Sequence, residues 1–174
     1  MNYFDFYGIK PTFTPNQTLV KQKYYELSKA YHPDFFVNQS EQKQQEILEL
    51  STLNNKAYQT LSKPDKLTEY MLQLKGEISE SEKYTLAQSF LLEMMDVNEA
   101  LMELEFDANT EAILAITTQI NTIEENLFEQ QKVLFGAYEA TNESLVLKQI
   151  KDIYYRKKYL LRIRESINKF ATRI

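Results

Sequence analysis

Residues that break helices are scarce in this chain and are concentrated near its start. The 174 residues include only three glycines and four prolines, and no proline follows Pro64. An all-β domain of this length would need many more turn residues. We therefore predict an all-α protein, with a compact N-terminal domain over residues 1–75 and a domain of longer helices over residues 76–174.

The composition argues against several classes of function. The chain has no cysteine and one histidine, so disulfides, thiolate metal sites and multi-histidine sites are excluded, and we expect no metal and no cofactor. A net charge of −5 argues against nucleic acid, which requires a basic footprint. Long apolar runs are missing, and the first residues resemble no signal or transit peptide, so we expect a cytoplasmic protein outside the membrane.

Apolar residues at helical spacing predict four helices in the N-terminal domain. The first is a short turn over residues 4–7. The second follows Thr18 and ends before Pro33, because proline disfavours helical geometry in the residue before it. Ser40 is a candidate N-cap for the third helix, and Pro64 suits the first turn of the fourth.

Three longer helices are predicted in the C-terminal domain. The first covers about residues 80–104, the second is capped by Thr110 and ends at Gly136, and the third runs from about Ser144 to the C-terminus. Short loops between amphipathic helices predict an antiparallel three-helix bundle. The predicted core positions of the last helix are Ile150, Ile153, Tyr154, Leu160, Leu161, Ile163, Ile167 and Phe170.

The single histidine lies in the sequence Tyr31-His32-Pro33-Asp34, between the second and third predicted helices. A named tripeptide occurs by chance in about one chain of this length in a hundred, and Pro-Asp is common in ordinary surface turns. Its setting is more specific, because an amphipathic helix precedes it and an antiparallel helix carrying the segment 53–61, LNNKAYQTL, follows.

On these features, residues 2–75 resemble the J-domain of DnaJ-type co-chaperones. The resemblance implies that His32, Pro33 and Asp34 dock on an ATPase chaperone of the DnaK class and trigger ATP hydrolysis. Basic residues on the second helix of that family contact an acidic chaperone surface. Here the candidate residues on that helix are Lys21, Lys23, Tyr25 and Lys29. Lysines on an exposed helix face are, taken alone, more often an ordinary solvated surface.

The chain departs from the J-domain pattern at two places. Many members have a lysine after the tripeptide, where this chain has Phe35 followed by Phe36. An arginine is common in the fourth helix at the position of Leu67. Both differences reduce the positive charge of the domain, so the strength of its electrostatic attraction to the chaperone stays open.

The C-terminal half of the sequence indicates which group of J-domain proteins the chain resembles. Three glycines and no cysteine exclude the Gly/Phe-rich linker and the zinc-binding repeats of typical DnaJ proteins. A J-domain followed by an acidic helical bundle resembles the HscB family (Jac-type in mitochondria), the co-chaperones of iron–sulfur cluster assembly. The resemblance covers essentially the whole chain. It implies a DnaK/HscA-class chaperone and an IscU-type scaffold protein as partners, with the cluster held by the scaffold.

A second apolar face on the first bundle helix indicates where a partner could bind. The core stripe of that helix spans only about 80°, and Leu91, Leu92, Met95 and Met102 lie outside it beside acidic residues. An apolar patch with a charged rim is typical of a protein interface, and methionines suit adaptable surfaces. Residues 88–99 also look like the scaffold-binding helix of the HscB family. The candidate scaffold-binding residues are Leu91, Leu92, Met95, Asp96, Glu99 and Tyr155. Tyr155 and Tyr159 both lie off the core stripe of the last helix and could extend the patch.

Other interpretations of the same residues stay open. Position by position, the second apolar face could equally pack against the N-terminal domain or complete a thick core. The bundle could recruit a different client, or the chain could be a non-enzymatic helical adaptor. We predict no enzymatic activity and no catalytic residues, because the sequence has no phosphate loop, no nucleophile–base pair and no metal-ligand set.

Overall fold

A computed structural model describes residues 1–79, 81–107 and 109–172 of the chain. Over those residues the structure contains helices and no strand, which confirms the all-α prediction. The chain divides into two compact units, Met1–Gly76 and Glu77–Ile174.

The first unit consists of short and medium helices whose starts follow local capping rules. Its helices are α1 (Tyr3–Tyr7), α2 (Gln17–Ala30), a 3-10 helix (Pro33–Phe36), α3 (Glu41–Leu61) and α4 (Pro64–Leu74). The Ser40 side chain accepts a hydrogen bond from the Lys43 backbone N–H, which confirms the predicted cap of α3. Helix α2 starts earlier than predicted, because Asn16 rather than Thr18 provides its cap.

Helices α2 and α3 form an antiparallel hairpin. The Gln17 side chain donates a hydrogen bond to the Leu61 carbonyl, while the Tyr24 ring stacks on the Tyr58 ring with centroids 4.2 Å apart. The residue numbers of these pairs rise along α2 and fall along α3. The loop that joins the two helices is therefore held at one end of the hairpin. The core of the first unit includes Phe4, Tyr7, Val20, Ile47, Ala57, Leu61, Leu67, Met71 and Leu72.

The second unit differs from the prediction in its first and second helices. Its described helices are α5 (Gln88–Glu93), α6 (Met95–Glu103), α7 (Thr110–Thr141) and α8 (Ser144–Ala171). The single helix predicted over 80–104 is wrong in two respects: residues 82–87 are not helical, and the helix is interrupted at Met94. Side chains of the non-helical segment bond to α8 instead, which stabilises an irregular backbone that local periodicity cannot foresee.

Gly136 does not end the second long helix, contrary to the prediction. Helix α7 continues to Thr141, and Asn142 then adopts a left-handed conformation with φ of 58°. Asparagine tolerates that conformation better than most residues, so it ends a helix well. Phe135 and Tyr138 on either side of Gly136 are buried, and their burial offsets the roughly 1 kcal/mol that a glycine costs inside a helix. Asn109, not Thr110, caps the start of α7.

The core of the second unit lies between α7, α8 and the pair α5–α6. Arg164 pairs with Glu124 and Lys157 with Gln131, so α7 and α8 run antiparallel. The buried cluster includes Phe90, Met94, Val97, Leu104, Ile116, Ile120, Leu127, Ile153, Leu160, Ile163 and Ile167. Leu161 was predicted as a core residue, but its side chain is 55% exposed. It lies next to Leu160 in sequence, and adjacent helical residues point about 100° apart, so only one of the two faces the core.

Candidate functional site

The tripeptide His32-Pro33-Asp34 begins the 3-10 helix at the tip of the α2–α3 hairpin. His32 is the N-cap, with an extended backbone, and Pro33 occupies the first helical position. Proline is favoured there because its fixed φ suits the turn and the position has no N–H bond to lose. All three residues are exposed. The tripeptide is therefore presented to solvent on a defined turn.

A hydrogen bond inside the tripeptide orients the His32 ring. The Asp34 backbone N–H donates to Nδ1 of His32 over 3.3 Å. A ring nitrogen that accepts carries no proton, so the neutral imidazole has its proton on Nε2. The Asp34 carboxylate lies 3.7 Å from the same Nδ1 and is largely exposed. The loop thus offers a donor at His32 and a free acceptor at Asp34 to an incoming partner.

Buried Asn54 on α3 ties together the helices that carry the loop. Its side-chain N–H groups donate to the Tyr24 carbonyl and to the Ser28 hydroxyl, both over 3.0 Å, and its oxygen accepts from the Tyr7 hydroxyl over 2.9 Å. Burial raises the pKa of Tyr7 above its ordinary value. One side chain therefore joins α1, α2 and α3. Sequence analysis missed this network, for which an asparagine in line with the apolar positions of α3 was the available signal.

The candidate chaperone-binding residues on α2 do not share one face, because Lys21, Tyr25 and Lys29 follow one another at four-residue spacing and Lys23 does not. Lys21 and Lys29 are exposed, and Tyr25 is exposed with its ring tilted against Tyr24. Lys23 is half-buried and pairs with Glu26 at 3.0 Å. Hydrogen bonds from Gln22 and Lys23 lower the pKa of Glu26, so this carboxylate stays ionised beside the lysine. Lys21 and Lys29 consequently contribute more free positive charge than Lys23 does.

The second apolar face lies on the outer side of α5 and α6. Leu91, Leu92 and Met95 are between 40% and 57% exposed, whereas Met94 and Val97 beside them in sequence are fully buried. The carboxylates of this face, Asp96 and Glu99, are also exposed. In this unit the structure therefore places the leucines and the methionine outside the bundle core.

Tyr155 is engaged with the segment that precedes α5. Its hydroxyl donates to Glu82 over 3.0 Å, and its ring stacks on Tyr84 with centroids 4.3 Å apart. The tyrosine of α8 that the structure joins to α5 and α6 is Tyr159, which packs edge-on against Phe90 and accepts a hydrogen bond from Asn98. Sequence analysis placed both Tyr155 and Tyr159 off the core stripe of the last helix and could not see which tyrosine has which partner.

A cluster of bonds fastens Glu77, Glu82 and Tyr84 to α8. Lys151 donates to the Glu77 carbonyl over 2.6 Å and to the Glu82 carboxylate. Hydrogen bonds from Lys151 and Tyr155 lower the pKa of Glu82. Burial and a hydrogen bond to Asp152 raise the pKa of Tyr84 to about 12. This cluster supports the irregular start of the second unit and was not foreseen from the sequence.

The described residues contain neither a cluster of metal ligands nor a membrane-spanning helix. Among them, no group of three or more histidine, aspartate or glutamate side chains could hold a metal ion. No helix within the described ranges is long and apolar enough to span a membrane.

Comparison with known proteins identifies both units. Residues 2–70 match the DnaJ domain family, and residues 86–168 match the family described as the HSCB C-terminal oligomerisation domain. A J-domain hairpin with an exposed His-Pro-Asp turn, followed by this helical domain, defines a J-domain co-chaperone.

Similarity to individual proteins identifies the particular family. A co-chaperone protein HscB homolog of Shewanella loihica is 30% identical over 171 residues, which is 97% of this chain and 96% of that protein. The co-chaperone HscB of Proteus mirabilis is 33% identical over 116 residues, 66% of this chain and 67% of that protein. The crystal structure of human HscB superimposes with a TM-score of 0.78 at 26% identity, covering 100% of this chain and 84% of that one. The Vibrio cholerae HscB structure gives a TM-score of 0.63, also at 26% identity, and covers 96% of this chain and 99% of that one. The chain belongs to the HscB family of co-chaperones.

Proposed function

We propose that this chain activates the ATPase of a DnaK/HscA-class chaperone and delivers an IscU-type iron–sulfur scaffold protein to it. The observation that carries the proposal is the exposed His32-Pro33-Asp34 turn, held at the hairpin tip by the buried Asn54 network. The proposed role is regulatory rather than enzymatic, and its proposed location is the cytoplasm.

The chaperone contact combines a specific loop with a charged helix face. His32 and Asp34 offer a donor and an acceptor in a fixed geometry, while Lys21 and Lys29 add positive charge on α2. Charges at the edge of an interface mainly speed association, whereas a fixed polar turn selects the partner. The tripeptide is therefore proposed as the trigger, and Lys21, Lys23, Tyr25 and Lys29 as the supporting surface.

The scaffold contact is proposed on α5 and α6. Exposed apolar side chains beside carboxylates suit a partner with an apolar patch and basic neighbours. Leu91, Leu92 and Met95 would supply the buried area, and Asp96 and Glu99 the charged rim. Tyr155 is proposed to act through its contacts with Tyr84 and Glu82, which fix the segment before α5. A chain that holds both partners raises the effective concentration of one near the other.

The test is single-turnover ATP hydrolysis by a purified DnaK/HscA-class chaperone, with and without this protein and an IscU-type scaffold. We expect His32→Gln or Asp34→Asn to abolish stimulation without a change in melting temperature, since neither exposed side chain contributes to a core. Asp107→Asn is a matched control, because it makes the same change as Asp34→Asn at an exposed aspartate of the second unit. Stimulation that survives both tripeptide changes would contradict the proposal.

A further inference from the structure

Three exposed apolar side chains lie just beyond the tripeptide. Phe35 is 73% exposed, Val37 is 64% exposed, and Leu48 on the neighbouring turn of α3 is 52% exposed. Phe35 stands where many J-domains have a lysine. A single exposed apolar residue needs no explanation, whereas several beside a binding loop indicate an interaction surface.

We propose that Phe35, Val37 and Leu48 form an apolar docking surface for the same ATPase chaperone, next to the tripeptide. This inference rests on the proposed function, since it assigns a further contact to the partner that the loop binds. We name these three residues the apolar extension.

Two residues of the apolar extension, Val37 and Leu48, share one concavity with Pro33 and Asp34 of the tripeptide. A cavity of about 370 Å³ is lined by Pro33, Asp34, Phe36, Val37 and Leu48, together with polar residues at the start of α3. Because Pro33 and Asp34 form part of its wall, a protein seated on the tripeptide also covers the cavity. This continuity favours the chaperone over an unrelated partner.

The surface is preformed. The Gln44 side chain donates to the Val37 carbonyl over 3.1 Å and to the Gln39 carbonyl over 2.9 Å, which fastens the end of the loop to α3. The Phe35 ring lies against the His32 ring, with centroids 5.5 Å apart. A surface that is already ordered loses less conformational entropy on binding.

The residues that line the cavity also indicate the chemistry of the partner. Asp34 and Glu41 place two carboxylates at the cavity, both on exposed residues. The complementary feature is an apolar side chain of the chaperone that enters the cavity beside a lysine or arginine. Apolar burial then supplies affinity that a lysine supplies electrostatically in other J-domains, and burial is less sensitive to salt.

The experiment measures how strongly the full chain stimulates the ATPase of a purified bacterial chaperone of the DnaK class. The variant is Val37→Ser with Leu48→Gln, which leaves the tripeptide untouched. The control is Leu114→Gln with Leu145→Gln, which changes two leucines of similar exposure in the second unit. We expect the variant to raise the half-saturating concentration at least about fivefold with an unchanged plateau, and the control to have no effect. Phe35→Ala should act in the same direction.

Each other outcome overturns the assignment in a distinguishable way. If the wild-type chain stimulates and the variant has the same half-saturating concentration, the apolar extension does not contact the chaperone, and the proposed function stands. A lower plateau at unchanged half-saturation would place these residues in the trigger instead. Sedimentation of the chain alone tests a second copy as the occupant: a dimer lost only in the variant, with normal stimulation, would exclude the chaperone. A wild-type chain without stimulation refutes the proposed function and this inference together.

Discussion

Replacing Asn54 provides the sharpest test of how this fold holds its binding loop. The side chain is 1% exposed and joins Tyr7, Tyr24 and Ser28 through three hydrogen bonds. Asn54→Leu keeps a similar volume and removes all three bonds. We therefore expect the first unit to be destabilised without an overpacked core.

The magnitude follows from the groups left behind. A typical hydrogen bond contributes about 1 kcal/mol net, and a buried group left without a partner costs about 1–3 kcal/mol. The Tyr7 hydroxyl retains a second acceptor, the Asn54 backbone carbonyl at 3.2 Å. The free energy of unfolding should therefore fall by about 2–4 kcal/mol. For a unit of this size, that corresponds to a melting temperature lowered by roughly 10–20 °C.

The assay must report on the first unit alone, since the chain has two units. Hydrogen exchange read by mass spectrometry resolves peptides from α2 and α3 and compares them with peptides from α7 and α8. Exchange in α2 and α3 should accelerate about 30-fold or more, which is the factor that 2 kcal/mol represents. Peptides of α7 and α8 should not change.

The neighbouring Asn55 supplies a matched control. It is exposed, and its side-chain oxygen accepts one hydrogen bond from Tyr24 over 3.2 Å. Asn55→Leu should change exchange little. If Asn54→Leu and Asn55→Leu behaved alike, or if Asn54→Leu cost less than about 1 kcal/mol, the network would not be what holds the hairpin together.

Two further predictions concern the second unit. The triple change Leu91→Ala, Leu92→Ala and Met95→Ala should weaken scaffold binding at least about tenfold, or 1.4 kcal/mol, with little change in melting temperature. Met94→Ala, in the core, should instead cost about 2–5 kcal/mol of stability. Calorimetric titration measures the binding and thermal unfolding the stability, and early unfolding of the triple variant with normal binding would contradict the assignment. Because hydrogen bonds lower the pKa of Glu82 in the folded protein below its ordinary 4.5, the stability it contributes is present above that pH and is lost as the pH falls through the folded value. Denaturant unfolding at several pH values should therefore show wild type and Glu82→Gln converging below pH 4.5, and a constant gap down to pH 2 would refute the role of the ion pair.

Some site residues were predictable because their signal is local. The Ser40 cap, the proline at the start of α4 and the exposed tripeptide follow from residue types within a few positions. The exposure of Leu91 and Leu92 follows from helical periodicity, although the structure begins their helix at Gln88 instead of about residue 80. The wrong helix start did not affect this prediction, because the spacing of the core positions Phe90, Met94 and Val97 does not depend on where the helix begins.

Other site features could not be read from sequence, because they join residues far apart along the chain. The Tyr7–Asn54 bond spans 47 positions, and the Tyr155–Glu82 bond spans 73. Which tyrosine of α8 contacts α5 and α6 depends on the rotation of α8 against them. Periodicity fixes which face of a helix is buried but not which partner it meets.

The sequence by itself determined the all-α class and the exposed tripeptide, and it indicated a second apolar face on α5 and α6 that the structure then placed outside the core. These features depend on breaker residues, caps and helical periodicity, each a local free energy of about 1 kcal/mol repeated along an element. The tertiary structure alone decided the irregular segment before α5, the continuation of α7 through Gly136 and the Asn54 network. In each case, contacts with distant residues stabilise a backbone or a buried polar group by an amount similar to the local preference, so local patterns cannot decide the outcome.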